Sequence, residues 1–541
     1  MVRRPRTPES LPWAPWLSLA AVLLFTGCPK EGAVCTPGLS VCSDACVDLR
    51  ADVEHCGACG TVCGANSVCQ DGACACREGS LRCGETCVAV ASDVANCGAC
   101  GNACPSGQVC EAGRCGVGCS AGTSRCGDAC VNLLADVANC GACGHACPDA
   151  QSCHAGVCAY DVVAACYNLG QVVGIQAGTD RLGPRRQLGG GVQSLAAYRN
   201  VLLAADATNS ELLQAPAGEL GQVSQRSSLG NVTTSPNDIF VAWPYVYVVD
   251  SINNTLQVLR GEGSGGGTSL GLRTVTQLSL GANTSPQGIT RVGDTLFIPL
   301  FGTAGSGFKK GNAVARVEVL DPEHPRLLDS IPLTGLDLKS FDGGTSLPLP
   351  YSATTLNGAV YVALTNLNPA NDYRPNGPGM LARIEPADGG VRAIDLGAEH
   401  CLNAGYVEPV GGQLVVSCLG EARYDTANGN RADDVRATGL ALVKDDALVA
   451  TYSLSAGCAP GTPECQVAVA GRFAVAKDAV YLADVNGGRV YVVEVKDGAL
   501  VERRGFSTPG AVGPALDACP RDSRRPVSNV TDVVAIPGLA P

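Results

Sequence analysis

The sequence predicts an all-β protein: a C-terminal β-propeller, best fitted by seven blades, preceded by three small disulfide-rich modules. Three observations carry that prediction. Between residues 35 and 158, cysteines recur in three sets of eight with one shared spacing. Beyond Cys166 a weaker repeat of paired apolar strands takes over, with the length of propeller blades. The composition is 46% hydrophobic, 16% charged and 4% aromatic, with 68 glycines, which suits short strands and turns better than long charged helices.

The N-terminus reads as an export signal. Arg3, Arg4 and Arg6 precede an apolar run from Leu11 to Phe25, too short and too early for a stable spanning helix. Thr26, Gly27 and Cys28 close it. This ending resembles the lipobox of bacterial lipoproteins, which implies a signal peptide over 1–27, lipidation of Cys28 and an anchor linker over 28–34. Pro29, in place of an inner-membrane-retention Asp, implies an outer-membrane lipoprotein facing either the periplasm or the cell surface. An exported chain also accommodates 31 cysteines, which a reducing cytosol would not. The formal charge is −12, and removing residues 1–27, with three Arg and one Glu, leaves −14. Such a surface repels a phosphate backbone, so nucleic acid is not expected as a partner.

The first module (35–74) holds Cys35, Cys42, Cys46, Cys56, Cys59, Cys63, Cys69 and Cys74. The second (76–115) holds Cys76, Cys83, Cys87, Cys97, Cys100, Cys104, Cys110 and Cys115. The third (119–158) holds Cys119, Cys126, Cys130, Cys140, Cys143, Cys147, Cys153 and Cys158. Gaps of 6, 3, 9, 2, 3, 5 and 4 residues separate them in every set. A Cys-Gly-Ala-Cys at each centre raises zinc or redox chemistry. Zinc takes four ligands, whereas each module offers eight cysteines, and His55, His145 and His154 do not recur at one position. A thioredoxin-like motif needs a βαβ context that these Gly-rich loops lack. A 40-residue unit with so few aliphatic residues substitutes cross-links for a core, each contributing about 2–4 kcal/mol. The cysteines therefore read as structural disulfides, with the connectivity open. Gly57, Gly60, Gly98, Gly101, Gly141 and Gly144 fit turns of positive φ beside crowded sulfurs. The pattern Asn-Cys-Gly-Ala-Cys-Gly, closed by Gly-x-Cys at Cys74, Cys115 and Cys158, resembles the plant stigma-specific (Stig-type) module. It is similar to tandem repeats in myxobacterial lipoproteins. The resemblance implies an extracellular binding or spacer module, read here as a stalk.

Residues 160–541 form the propeller region. Stretches of one length recur at Gln193–Asp206, Asn237–Asp250, Gln287–Leu300, Tyr351–Leu364 and Gly471–Asp484, with a version two residues longer at Asn403–Cys418. Each is strand, turn, strand, and further strands follow, giving about four per 45 residues. Asp206/Asn209, Asp250/Asn253 and Asp484/Asn486 follow the second strand. This resembles blades of NHL and YncE-type propellers, in which such a pair ties the hairpin of the second and third strands. A seventh blade closes from Ser528–Pro537 together with a strand near Gly170–Gly178, removing exposed edges. Six cysteines remain, an even set: Cys166–Cys519 would lock the closure, Cys401–Cys418 would join strands of one blade, and Cys458–Cys465 would close a loop.

Catalytic chemistry is hard to assemble. His324 and His400 belong to no Ser/Asp or metal-ligand pattern, and no cofactor is expected. Asp425, Asn428, Asn430, Asp433 and Asp434 cluster oxygen donors that Ca²⁺ would accept, without EF-hand spacing. The residues opening successive inner strands, Gln193, Asn237, Gln287, Tyr351, Asn403, Gly471 and Thr531, would ring one mouth of the channel as an amide-rich rim. The expectation is a lipid-anchored, non-enzymatic binding or scaffold protein of the cell envelope, presenting the propeller to a protein, peptide or glycan. The alternative is a Ca²⁺-dependent hydrolase or lactonase using the channel.

Overall fold

The computed structural model describes residues 37–42, 45–106, 108–127, 129–148, 150–230, 233–262, 268–308, 310–344, 346–368, 374–425, 431–454, 468–505, 514–520 and 529–537. No α-helix occurs among them. The chain divides into two compact units, one holding the first two cysteine modules and one holding most of the third module with the propeller.

In the first unit each module is built from two short hairpins, such as Leu81–Cys83 with Thr86–Val88 and Gln108–Glu111 with Arg114–Val117. Disulfides join these hairpins to the Gly-rich loop between them. In the second module the pairs are Cys76–Cys87, Cys83–Cys100, Cys97–Cys110 and Cys104–Cys115. Numbered along the module, that is first with third, second with fifth, fourth with seventh and sixth with eighth. Cys42–Cys59, Cys56–Cys69 and Cys63–Cys74 repeat the pattern in the first module. Sulfurs of Cys56, Cys63 and Cys74 come within 4.8 Å of one another because two cross-links stack there. Each is already disulfide-bonded, so none offers a thiolate to a metal.

The central loop explains its glycines. Gly98 has φ +75°, and a Cβ there would sit 2.4 Å from the carbonyl oxygen of Gly113. Gly101 also has a positive φ but faces open space. The first glycine thus permits close backbone approach and the second only a left-handed turn. Asp93 Oδ1 accepts the Ala95 N–H at 2.8 Å, and Asn96 Oδ1 accepts that of Gly101 at 2.8 Å, holding the loop between its cross-links.

In the second unit the third module repeats the pairing through Cys126–Cys143, Cys140–Cys153 and Cys147–Cys158; its first-with-third pair, Cys119–Cys130, falls in the first unit. Its last hairpin, Ser152–His154 with Val157–Ala159, lies on the propeller. Gln151 Nε2 donates to the Gly218 carbonyl at 2.7 Å, and Gln176 Nε2 donates to the Gln151 carbonyl at 2.9 Å. Ser152 Oγ donates to Asp161 Oδ2 at 2.6 Å, and His154 Nε2 lies 3.1 Å from Asp161 Oδ1. Burial opposes ionisation of Asp161, but its bonds to His154 and Ser152 and the charge of Lys477 outweigh it and lower its pKa. A free spacer would lack such contacts, so the C-terminal part of the third module, from Val131 on, is part of the propeller's body.

The propeller has seven blades. Blade 1 runs Val192–Tyr198, Val201–Asp206, Glu211–Pro216 and Gln225–Ser228 from the axis outward. Blades 2 to 6 repeat this four-stranded antiparallel order from inner strands Pro236–Ala242, Thr290–Val292, Pro350–Leu356, Ala404–Val410 and Ala470–Ala476. Blade 7 combines both ends of the region: Val530–Ala535 is its inner strand, followed outward by Val162–Cys166 and Gln171–Gln176. The disulfide Cys166–Cys519 sits at this closure, and Cys401–Cys418 ties the loop before the inner strand of blade 5 to its second strand. Second strands such as Val201–Asp206 and Ala479–Asp484 are buried throughout, because each sheet face packs on a neighbouring blade. Apolar residues between adjacent sheets form the core, as between Leu203 and Val248, or Leu442 and Leu482.

Candidate functional site: the propeller channel and its rim

The inner strands of blades 1, 2, 4, 5 and 6 open with a register slip. Partner numbering jumps between Val192 and Ser194, Pro236 and Asp238, Pro350 and Ala353, Ala404 and Tyr406, and Ala470 and Phe473. Such bulges add a residue to one strand and re-aim side chains. Here two successive residues, such as Asn237 and Asp238, both line the axis, one at the mouth and one deeper.

The mouth is a pocket of about 200 Å³ lined by Gln193, Asn237, Gln287, Tyr351 and Thr531, with Tyr406 and Arg472 at its base. Its amides form a directional line. Gln193 Nε2 donates to Asn237 Oδ1 at 2.6 Å and to Ser235 Oγ at 2.9 Å. Asn237 Nδ2 donates to Gln287 Oε1, and Gln287 Nε2 donates to Ser285 Oγ at 3.0 Å. Thr531 Oγ1 donates to the Val192 carbonyl at 3.0 Å. The rings of Phe308, Phe301, Tyr351 and Tyr406 meet edge to face in sequence, with centroids 5.8, 5.9 and 5.2 Å apart.

Asn403 is not part of this mouth. Ala404 pairs with Cys418 as Val192 pairs with Asp206, so Gly405 takes the rim register. The two extra residues of that repeat displace Asn403 into the preceding turn, where φ is +55° and Nδ2 reaches the Gly420 carbonyl at 3.5 Å. Gly471 holds the rim register in blade 6 and contributes no side chain.

The deeper position carries a charged ring that composition and repeats did not reveal. Asp532 Oδ2 accepts the Leu195 N–H at 2.7 Å, Asp238 Oδ2 that of Ile289 at 2.9 Å, and Ser352 Oγ that of Val407 at 3.0 Å. In each case the acceptor belongs to one blade and the donor to the next. Arg472 extends from blade 6 across the axis: Nη1 is 3.0 Å from Asp238 Oδ1 and 3.6 Å from Asp532 Oδ2. Its guanidinium also lies over the Tyr406 ring, 4.9 Å from the centroid. Burial pushes Asp532 up to about 6, with Asp238 adding to the rise and Arg472 opposing it. Burial also opposes the Arg472 charge, but Asp532 and Asp238 outweigh it and hold its pKa well above the ordinary arginine value. The legible signal was an Arg, two Asp and a Glu on otherwise apolar inner strands: "GRFAVA", "NDIFVA", "TDVVA" and "YVEPV".

Below Arg472 the channel widens to a cavity of about 430 Å³. Phe240, Val534 and Pro409 contribute to its wall, together with Glu408 of blade 5. A calcium-dependent hydrolase would need carboxylates converging on an ion, whereas Asp238 and Asp532 each hold a neighbouring N–H and Arg472.

The mouth opens on an asymmetric face. In blades 6, 1 and 2 the turn after the second strand is tight. Asp206 there accepts N–H bonds from Gly190 and Gly191 and the Asn209 amide at 2.8 Å; Asp250 accepts that of Asn253 at 2.6 Å. Asp484 Oδ1 accepts the N–H groups of Val469, Asn486 and Gly487. In blades 4 and 5 the same connection carries extra hairpins, Leu367–Asn368 with Arg374–Pro375 and Glu421–Asp425 with Arg431–Arg436. Arg374 Nη1 approaches Glu421 Oε1 at 3.9 Å, joining them. In blade 3 the connection bears Phe308, which is buried with Leu349 and Leu367.

His324 is exposed beside Asp321, and His400 lies 3.5 Å from Glu399; neither borders the channel. Residues 1–27, Cys28, Cys35, Cys458, Cys465, Asn428 and Asn430 lie outside the described residues, as do the side chains of Asp425, Asp433 and Asp434.

Residues 25–118 and 111–161 match the model of the stigma-specific STIG1-like protein family, so the N-terminal region is similar to that family. No curated protein sequence matches the chain. Among solved structures, a "putative 6-phosphogluconolactonase" of Bacteroides fragilis is 10% identical, with TM-score 0.44, covering 69% of this chain and 96% of that one. A functionally unknown protein of Desulfotomaculum acetoxidans is 14% identical, with TM-score 0.40, covering 67% and 100%. Hydrazine synthase of Kuenenia stuttgartiensis is 13% identical, with TM-score 0.38, covering 55% and 73%. No function is drawn from likenesses at this level.

Proposed function

We infer a scaffold or binding role, which a seven-bladed propeller joined to a disulfide-rich N-terminal region fits. We propose that the chain is a non-enzymatic lipoprotein of the outer membrane, anchored through Cys28, whose propeller offers its amide mouth to a peptide backbone or glycan. The observation that carries this reading is the convergence of Gln193, Asn237, Gln287, Tyr351 and Thr531 on one pocket. Amides and a tyrosine supply both donors and acceptors beside an aromatic surface, the chemistry that sugars and peptide groups require. The taller loops of blades 3 to 5 support it, since they give that face a wall on one side only. The pocket is smaller than a drug-sized site, which suits one sugar ring or one side chain of a longer polymer.

The test is binding of the purified mature protein to glycan and peptide arrays, followed by titration of the strongest hit. Gln193→Ala/Asn237→Ala/Gln287→Ala should weaken it at least tenfold; unchanged affinity removes the mouth from consideration. Cys28→Ser should move the chain from the membrane fraction to the soluble envelope fraction.

A further inference from the structure

The cavity below Arg472 differs in chemistry from the mouth and stands independently of it. Two of its three carboxylates are occupied by the architecture: Asp238 and Asp532 each accept a neighbouring blade's N–H and face Arg472. Glu408 has no such role. Thr354 Oγ1 lies 3.5 Å from its Oε2, and it forms no ion pair among the described residues. One guanidinium against three carboxylates leaves the cavity wall negative when all are ionised.

We propose that this cavity binds a small protonated amine with an apolar body, its ammonium on Glu408 and its body against Phe240, Pro409 and Val534. Charge complementarity selects the occupant. An anion would meet a net negative wall, and a neutral apolar molecule would leave a carboxylate desolvated without a partner. Ca²⁺ or Mg²⁺ needs six or more oxygen ligands, whereas Asp238 and Asp532 are committed and a guanidinium stands beside them. The volume of about 430 Å³ falls within the range of small-molecule sites. Glu408 is sensitive to such a partner. Its side chain is exposed to the channel space, but the enclosing channel wall desolvates it and raises its pKa to about 7, with Asp238 and Asp532 adding to the rise while Arg472 and Thr354 oppose it. Binding should therefore strengthen as pH rises from 6 to 8, while an aliphatic amine stays protonated.

Calorimetric titration of the full mature chain with benzylamine, n-hexylamine, benzyl alcohol and calcium chloride tests this. An amine is expected to bind at pH 8, roughly tenfold more weakly at pH 6, with benzyl alcohol at least tenfold weaker than benzylamine. Glu408→Gln should abolish the preference for amine over alcohol. Equal binding of amine and alcohol, no binding of either amine at millimolar concentration, or displacement of amine by calcium would overturn the proposal. The pH profile of the unaltered chain reads the same property without any variant. Loss of rim binding in the triple variant above would leave this result untouched.

Discussion

Replacing Arg472 by Met isolates the electrostatics of the ring. The guanidinium lies 3.0 Å from Asp238 and 3.6 Å from Asp532, with side-chain exposures of 17%, 19% and 3% respectively. At an effective dielectric of about 20, each pair attracts by about 5 kcal/mol. Desolvating three charges consumes much of that, and stripping one partner from a buried network typically destabilises by about 3–5 kcal/mol. For a propeller of about 380 residues the unfolding entropy is about 0.8 kcal/mol/K, so Tm should fall by about 4–6 °C at pH 8. The loss should shrink at pH 5. Without Arg472, Asp532 is harder to ionise still, and protonation removes the uncompensated charge. Adding Asp532→Asn should recover part of the loss at pH 8. Thermal melts at both pH values decide the matter: equal losses at pH 5 and pH 8, or a change below about 1 °C at pH 8, would refute the reasoning.

Three further outcomes follow from other parts of the fold. Cys166→Ala/Cys519→Ala opens a cross-link spanning 353 residues, so the chain-entropy limit is about 6 kcal/mol and Tm should drop by up to about 7 °C in melts under non-reducing conditions. Asp484 is buried, and its carboxyl is pushed from 3.8 up to about 6, so the folded state holds its proton longer than the unfolded state. Its contribution is therefore most favourable below about pH 4 and is lost as pH rises to 6, by up to about 3 kcal/mol. Asp484→Asn should flatten that part of a urea-midpoint profile. In the second module, Gly98→Ala places a methyl 2.4 Å from a backbone oxygen, whereas Gly101→Ala meets no atom within 4 Å. Protease resistance of the oxidised module should collapse in the first variant; the second should lose only about 1 kcal/mol from its positive φ.

The cysteine spacing, the blade repeat and the joining of both ends in one blade were legible because each is a short-range or periodic pattern. Close approach of the Gly113 carbonyl demands glycine at Gly98, and a tight turn demands an acceptor at Asp206, whatever lies far along the chain. The pairing of eight cysteines was not legible, since any near-neighbour scheme satisfies the same spacing. Nor was the exclusion of Asn403 from the mouth. It turns on a bulge and two inserted residues, which shift register by amounts a repeat alignment without gaps does not detect.

Sequence by itself thus determined the cysteine spacing, the repeat and the closing blade, because those follow from residue types at fixed local spacing. Tertiary structure alone decided that most of the third module joins the propeller's body, and that Arg472 meets Asp238, Asp532 and Tyr406 on one axis. The physical reason is radial geometry. Residues more than 200 positions apart become hydrogen-bond neighbours only when all seven sheets close around a common centre.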